Sequence, residues 1–418
     1  MLCPIAIGKA FCRKLILLEA WFSLYKIARS SIASVYTGNL MKRIAFVVSA
    51  PATAEAFLRG HMAALSEEYD VDLIANFSNG LKSTVLVREV IHASIDREVH
   101  IWRDLVGLFA LIRIFSRRRY DAVHSVTPKA GLLAMLAAWF TRIPVRHHTF
   151  TGQVWSTRSG FARWALRALD RLIHVCSTHS LVDSISQRDF LLSERVVCPD
   201  KSSVLASGSI SGVNIDRFKP DLEMRRTIRR RHGLDESEFA FLFLGRINEE
   251  KGVPELVSAF RNISVKYPSA KLMVVGGDES GMFSDGAIER SFGDKLIRVG
   301  FTREPEAYFN ASDLFCLPSH REGFGSVIIE AAACGVTSVA SAIYGISDAV
   351  VDGETGLLHI PRSVGDLEDK MESILSNSSL RENLSRKAFE RARERFSSDV
   401  IEREFVQFYR SAFKSLGG

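Results

Sequence analysis

The stretch "FLFLGRINEEKGVPELV", residues 241–257, packs a strand, a turn and a helix start into seventeen positions. A short, wholly apolar run stops at Gly245, a polar loop carries Arg246 and Lys251, and helical spacing resumes near Val253. A strand without polar alternation is one buried on both faces, which occurs in parallel sheets covered by helices. The same unit recurs in both directions along the chain. Upstream lie "RIAFVVSA", "VDLIANF", "ASIDREVHI", "YDAVHSV" and "PVRHHTFTG" as strand candidates, separated by amphipathic stretches such as "LVGLFALIRIFSRRR" and "KAGLLAMLAAWFTRI". Downstream the strands are "AKLMVVGG", "DKLIRVG", "ASDLFCLPS" and "TSVASA", and the last fifty residues read as helix. Between the two series, "SGSISGVNIDRFKPD" (207–221) has no period and is rich in Gly and Ser, as a linker is.

The spacing therefore predicts an α/β protein of two tandem doubly wound domains facing across a cleft. At 418 residues the chain exceeds what one core usually spans. The expected divisions are an extension over 1–40, a first domain over 41–210, a linker over 211–220, a second domain over 221–400, and a terminal helix over 401–418 that packs back on the first domain. The extension, with "FCRKLILLEAWFSLYKIAR", reads either as an amphipathic membrane-surface helix or as sequence ahead of a true start at Met41. Its charges exclude a signal-peptide core, and no stretch of 18 uncharged apolar residues predicts a spanning helix.

Net charge is +6, unevenly spread. Residues 41–220 hold 23 Lys and Arg against 16 Asp and Glu, while 221–418 hold 26 against 31. A basic front half points to an anionic partner, for which lipid phosphate, a membrane surface and nucleic acid all qualify; a solvated helix face is the plainer alternative. The six cysteines form no C-x-x-C pair and no zinc spacing.

Ligands of such folds bind at the carboxyl ends of the strands. In "REGFGSVIIEAAACG" (321–335), Glu322 precedes a Gly323-Phe324-Gly325 turn and Glu330 interrupts an apolar helix, for which Ser326 is the expected cap. Glycine turn and helix start together form an anion site. Eight helical residues would separate the two acids by about 12 Å, which suits the two ends of one elongated ligand. The bland alternative is a salt-bridged Glu330 and a surface Glu322. Arg246 and Lys251 fit a diphosphate, unless they merely pair with Glu249 and Glu250. His147, His148 and His124, the last followed by Lys129, end front-domain strands, where one histidine could face the cleft. The loop "SAPATAEAF" lacks the G-x-G-x-x-G of a dinucleotide site, and the one D-x-D string, Asp70-Val71-Asp72, reads as a turn.

These motifs, in this order, resemble the core of retaining GT-B glycosyltransferases of family 4, over roughly residues 41–418 and most specifically over 240–360. The resemblance implies that Arg246 and Lys251 hold the donor's diphosphate, Glu330 the ribose hydroxyls and Glu322 the donor sugar. It implies that the backbone of Gly323, Phe324 and Gly325 lines sugar and phosphate, and that His148 lies near the reacting centre. Glu322 and His148 are then the catalytic residues, with no metal or other cofactor and no nucleic-acid partner. "TPKAGLLAMLAAWFTRIPVRHHTFTGQVW" is similar to bacterial members that build O-antigen, capsule or glycoprotein glycans. That similarity implies a UDP-linked donor, of an N-acetylhexosamine or its 6-deoxy relative. It also implies a polyprenyl-diphosphate-linked saccharide acceptor and a cytoplasmic, peripheral place on the membrane's inner face. An epimerase, or a transferase with a soluble acceptor, is the alternative on the same fold. The Gly-Gly pair that many relatives carry after the first strand is replaced by Ala50, Pro51, Ala52 and Thr53, so acceptor contacts do not carry over there.

Overall fold

The computed structural model describes residues 41–77, 85, 87–96 and 100–416. The expectation for residues 1–40 lies outside them. Among the described residues, thirteen parallel strands form two sheets. The first sheet contains β1 (Arg43–Val47), β2 (Asp70–Ala75), β3 (Glu89–His92), β4 (Ala122–Val126), β5 (Val145–Phe150), β6 (His179–Val182) and β7 (Ser202–Val204), in the order 3-2-1-4-5-6-7. The second contains β8 (Phe239–Leu244), β9 (Ala270–Val275), β10 (Leu296–Val299), β11 (Leu314–Leu317), β12 (Ser338–Ser341) and β13 (Gly356–His359), in the order 10-9-8-11-12-13. In each sheet the winding reverses beside the first strand, at β1/β4 and at β8/β11. Loops diverge at such a reversal and leave a crevice at the carboxyl edge.

The central strands are buried on both sides, as their unbroken apolar runs require: Ile44 to Val48 and Ala240 to Phe243 are all inaccessible to water. The sequence placed a strand in "ASIDREVHI"; the ladder instead uses Glu89–His92, just upstream, and a helix begins at Ile101. Strands β6, β7 and β13 were not expected. At three or four residues each, reading HSLV, SSV and GLLH, they are too short to display a period. Asp70 and Asp72 stand in β2 rather than in a turn, and the buried Asp72 accepts from Arg88 Nε at 3.0 Å and Tyr120 Oη at 2.7 Å.

The last helix, Ser398–Lys414, lies on the first domain against Arg59–Ser66. Its Phe405 stacks on His61 at 4.2 Å, and Tyr409 Oη bonds His124 Nδ1 at 2.9 Å. Burying Phe405 and Tyr409 there contributes about 2–3 kcal/mol each. The chain thus crosses between the domains twice, and the crossings touch. Val213 N–H donates to Phe396 O at 2.7 Å and Ser398 N–H to Val213 O at 2.8 Å.

Candidate active site

The loop after β8 and the loop after β11 lie against each other because a glycine permits it. Gly252 has φ +65°, and a Cβ there would stand 2.0 Å from Pro318 O. That close approach delivers Lys251 to Glu322: Lys251 Nζ donates to Glu322 Oε1, which also accepts from Ser319 Oγ at 2.9 Å. His320 and Arg321 are held in the same way, by Glu255 at 2.9 Å and by an ion pair with Glu250. Arg246, at the outer rim, pairs with Glu279 at 3.0 Å and is half exposed. Neither cation pairs with Glu249 or Glu250, the partners that a plain surface loop would have given them.

The helix Ser326–Ala333 starts from Gly325 at φ +83°. Ser326 is therefore the first helical residue and not the cap, and no side chain caps this end. Glu330 lies in the helix, turned toward Arg217 and Glu306, which pair with each other at 2.8 Å. Burial raises its carboxyl to about 7, against the opposing pull of Arg217. Two separate acid positions result. Glu322 is neutralised by a lysine, and Glu330 is poised between its charged and neutral forms.

The first domain reaches this loop from its own carboxyl edge. Ser184 Oγ donates to Gly323 O at 3.0 Å, and Arg321 Nη1 donates to Gly152 O at 3.1 Å. Gly345 N–H donates to Ser186 Oγ at 2.7 Å, while Ser186 N–H donates to Asp348 Oδ2 at 2.9 Å. Asp183, the residue after β6, is buried against Gly323 with Oδ1 unpartnered. Burial, and secondarily the charge of Glu322, push its carboxyl up to about 7. A cationic mouth, a glycine turn at a helix start and flanking acids can hold a phosphorylated, hydroxyl-rich molecule and stabilise charge on a leaving phosphate.

Two family models match the chain, "Glycosyl transferase 4-like domain" over residues 53–208 and "Glycosyl transferases group 1" over 224–391. The chain is a glycosyltransferase of the GT-B, family 4 type. Among similar proteins, the capsular polysaccharide biosynthesis glycosyltransferase CapM of Staphylococcus aureus is 28% identical, over 86% of this chain and 95% of its own. An Escherichia coli enzyme named UDP-Gal:alpha-D-GlcNAc-diphosphoundecaprenol alpha-1,3-galactosyltransferase is 25% identical, over 67% of this chain and 73% of its own. The Anabaena protein HepE, solved in complex with UDP, superposes with a TM-score of 0.73 at 18% identity, covering 89% of this chain and all of its own.

In the glycosyltransferase one expected site residue is elsewhere. His148 is 1% exposed, bonds Ser125 at 2.8 Å and presses on Gly131, whose added Cβ would stand 2.4 Å from its ring. Burial lowers it to about 3, so it is a neutral core residue. The reason is geometric: a residue inside a strand faces the helix layers, and only residues past the strand's end face the crevice. His147 packs on the opposite face with Phe408 at 4.6 Å, so neither histidine of the pair reaches the cleft. His124 is a core partner of Tyr409, and Lys129 pairs with Asp104 at 2.6 Å. The positions that do reach Gly323 are Thr151, Gly152, Asp183 and Ser184. Sequence reading missed all four. The available signal was polar residues immediately following β5 and β6, but β6 itself was too short to be recognised.

Proposed function

We propose that this glycosyltransferase takes a sugar from a UDP-linked donor and adds it, with retention, to a polyprenyl-diphosphate-linked saccharide. The sugar fitting the sequence resemblance is an N-acetylhexosamine or its 6-deoxy relative. One observation carries the reading: Lys251, Glu322 and the Gly323–Gly325 turn meet at the carboxyl edge of the second sheet, beside the loops that close from the first. UDP in the HepE complex and a diphosphoundecaprenol saccharide in the Escherichia coli enzyme's name support donor and acceptor class.

In the proposed reaction the bond from the sugar's anomeric carbon to the donor phosphate breaks. The acceptor oxygen bonds that carbon from the same face, and the acceptor's proton passes to the departing phosphate. Lys251 and Arg246 take up the diphosphate's charge, with the helix start at Ser326 behind them. Glu322, already engaged by Lys251 and Ser319, orients sugar hydroxyls and is no covalent nucleophile. Glu330 accepts from the ribose. Cationic side chains fill the place of a metal in this scheme, so EDTA should leave the rate largely intact; complete loss restored by magnesium or manganese would overturn that part.

As part of the same proposal the enzyme works at the inner membrane face, where a lipid-linked acceptor would be met. No described helix is long and apolar enough to cross a bilayer. A screen of nucleotide sugars for thermal stabilisation, followed by transfer to lipid-linked and soluble acceptors, tests the whole reading. Stabilisation by no nucleotide sugar, or transfer only to soluble acceptors, would defeat it.

A further inference from the structure

The helix Gly160–Cys176 turns an unusual face outward. Phe161 is 79% exposed and Trp164 59%, their rings stacked at 5.6 Å, and Val175 is also exposed. Stacked aromatics standing in water on a folded surface mark a place where something apolar or interfacial docks. Beside Trp164 opens a hollow of about 600 Å³ between this helix and the turn 193–196. Arg167, Arg171 and Arg195 line it together with Ser193. The only acid in its wall is Glu194, already shared by Arg163 and Arg167. Arg171 and Arg195 have no carboxylate partner among the described residues. Arg195 is held toward the hollow's rim by a left-handed backbone, φ +57°, which a non-glycine residue rarely adopts.

We infer that this hollow is a phosphate site for the headgroup of an anionic phospholipid, with Phe161 and Trp164 entering the bilayer interface beside it. The inference rests on the membrane reading above and says which surface makes the contact. Charge complementarity selects the occupant. Guanidinium forks match phosphate oxygens, each basic side chain near an anionic leaflet contributes about 1 kcal/mol, and aromatic rings favour the headgroup level. A second patch agrees with this orientation. Trp102 (82% exposed) and Phe109 (66%) project from the helix Ile101–Arg118, and both helices pack on Pro128–Phe140 between them. A helix that follows a parallel strand starts at the carboxyl edge, so Trp102 and Phe161 stand at the same edge as the crevice.

The test uses the whole chain and vesicles of phosphatidylcholine, with and without about one third phosphatidylglycerol. Co-sedimentation should need the anionic lipid. Arg171→Glu with Arg195→Glu should weaken it by about tenfold or more, and Phe161→Ser with Trp164→Ser should do likewise. UDP affinity and transfer to a soluble acceptor analogue should not change, because none of these residues lies in the crevice. Equal binding to neutral vesicles, or anionic-vesicle binding untouched by the arginine pair, overturns the inference. So does protection of the hollow by inorganic phosphate without sedimentation, or self-association through the aromatic face in sedimentation velocity. A chain that sediments as described yet transfers no sugar would sink the proposed reaction and leave this site standing.

Discussion

Lys251 donates to Glu322, so the cation suited to a donor's diphosphate is already bonded to the acid suited to its sugar. The pair lies at about one-fifth exposure or less on both sides, where a lost partner is costly. Each charge satisfies the other. A diphosphate entering the crevice would take over Lys251 and release Glu322 toward the sugar.

Replacing Lys251 by methionine therefore has two consequences, an absent phosphate contact and an unpaired carboxylate. UDP affinity should fall at least tenfold, the scale of about 1.5–3 kcal/mol for a charge-assisted bond. Titration calorimetry with UDP measures it; unchanged affinity would remove Lys251 from the donor site.

Glu330 and Glu322 should separate kinetically. Glu330→Ala should raise donor KM more than Glu322→Ala does, whereas Glu322→Ala should mainly lower kcat. Because burial holds Glu330 near 7, its accepting, ionised form appears only as pH rises through that value. Donor KM should accordingly drop between pH 6 and about 8, and Glu330→Gln should flatten the profile. Parallel effects of both substitutions on both constants would end this division of roles.

Gly323→Ala should disable transfer without unfolding either domain. Its Cβ would stand 2.7 Å from Asp183 Oδ2 and 2.8 Å from Gly152 N, one a movable side chain and the other backbone. Trimming Asp183 to alanine relieves only the first clash. A loss in kcat of about a hundredfold, with no full rescue by Asp183→Ala, is expected for a displaced loop of this kind. Full rescue would show that Gly152 yields easily.

Asp183 should make stability pH-dependent. Its folded carboxyl titrates near 7, above the usual range of about 4, so the folded chain binds this proton more tightly than the unfolded one does. The contribution of Asp183 to stability is then full below about pH 4, declines as pH rises to about 7, and is constant beyond. Glu330 acts in the same direction. Asp183→Asn should remove its share, raising Tm at pH 8 relative to pH 5 compared with the parent chain. An identical pH slope in the two proteins would contradict the assignment.

The two sheets were legible because their central strands are unbroken apolar runs, and burial on both faces leaves that mark on any sequence. Arg246, Lys251, Glu322 and Glu330 stand out in the sequence because each sits beside a glycine turn or interrupts an apolar helix. Pairing was not legible. Nothing local shows that Lys251 meets Glu322, since a glycine packed on Pro318 O makes that contact. The same limit hid Asp183, whose neighbour Gly323 is far along the chain. It also misdirected His148, since a strand's residue types do not tell where the sheet stops and the crevice begins.

The paired crossings at Val213 and Ser397 limit how the two halves can move. A single connecting strand would allow them to swivel about several axes. Two strands stitched side by side by main-chain bonds behave as a door hinge, folding about the line that joins them and resisting twist. Opening would then swing Gly323 away from Asp183 and back along one arc, so that the crevice re-forms in the same register after every turnover.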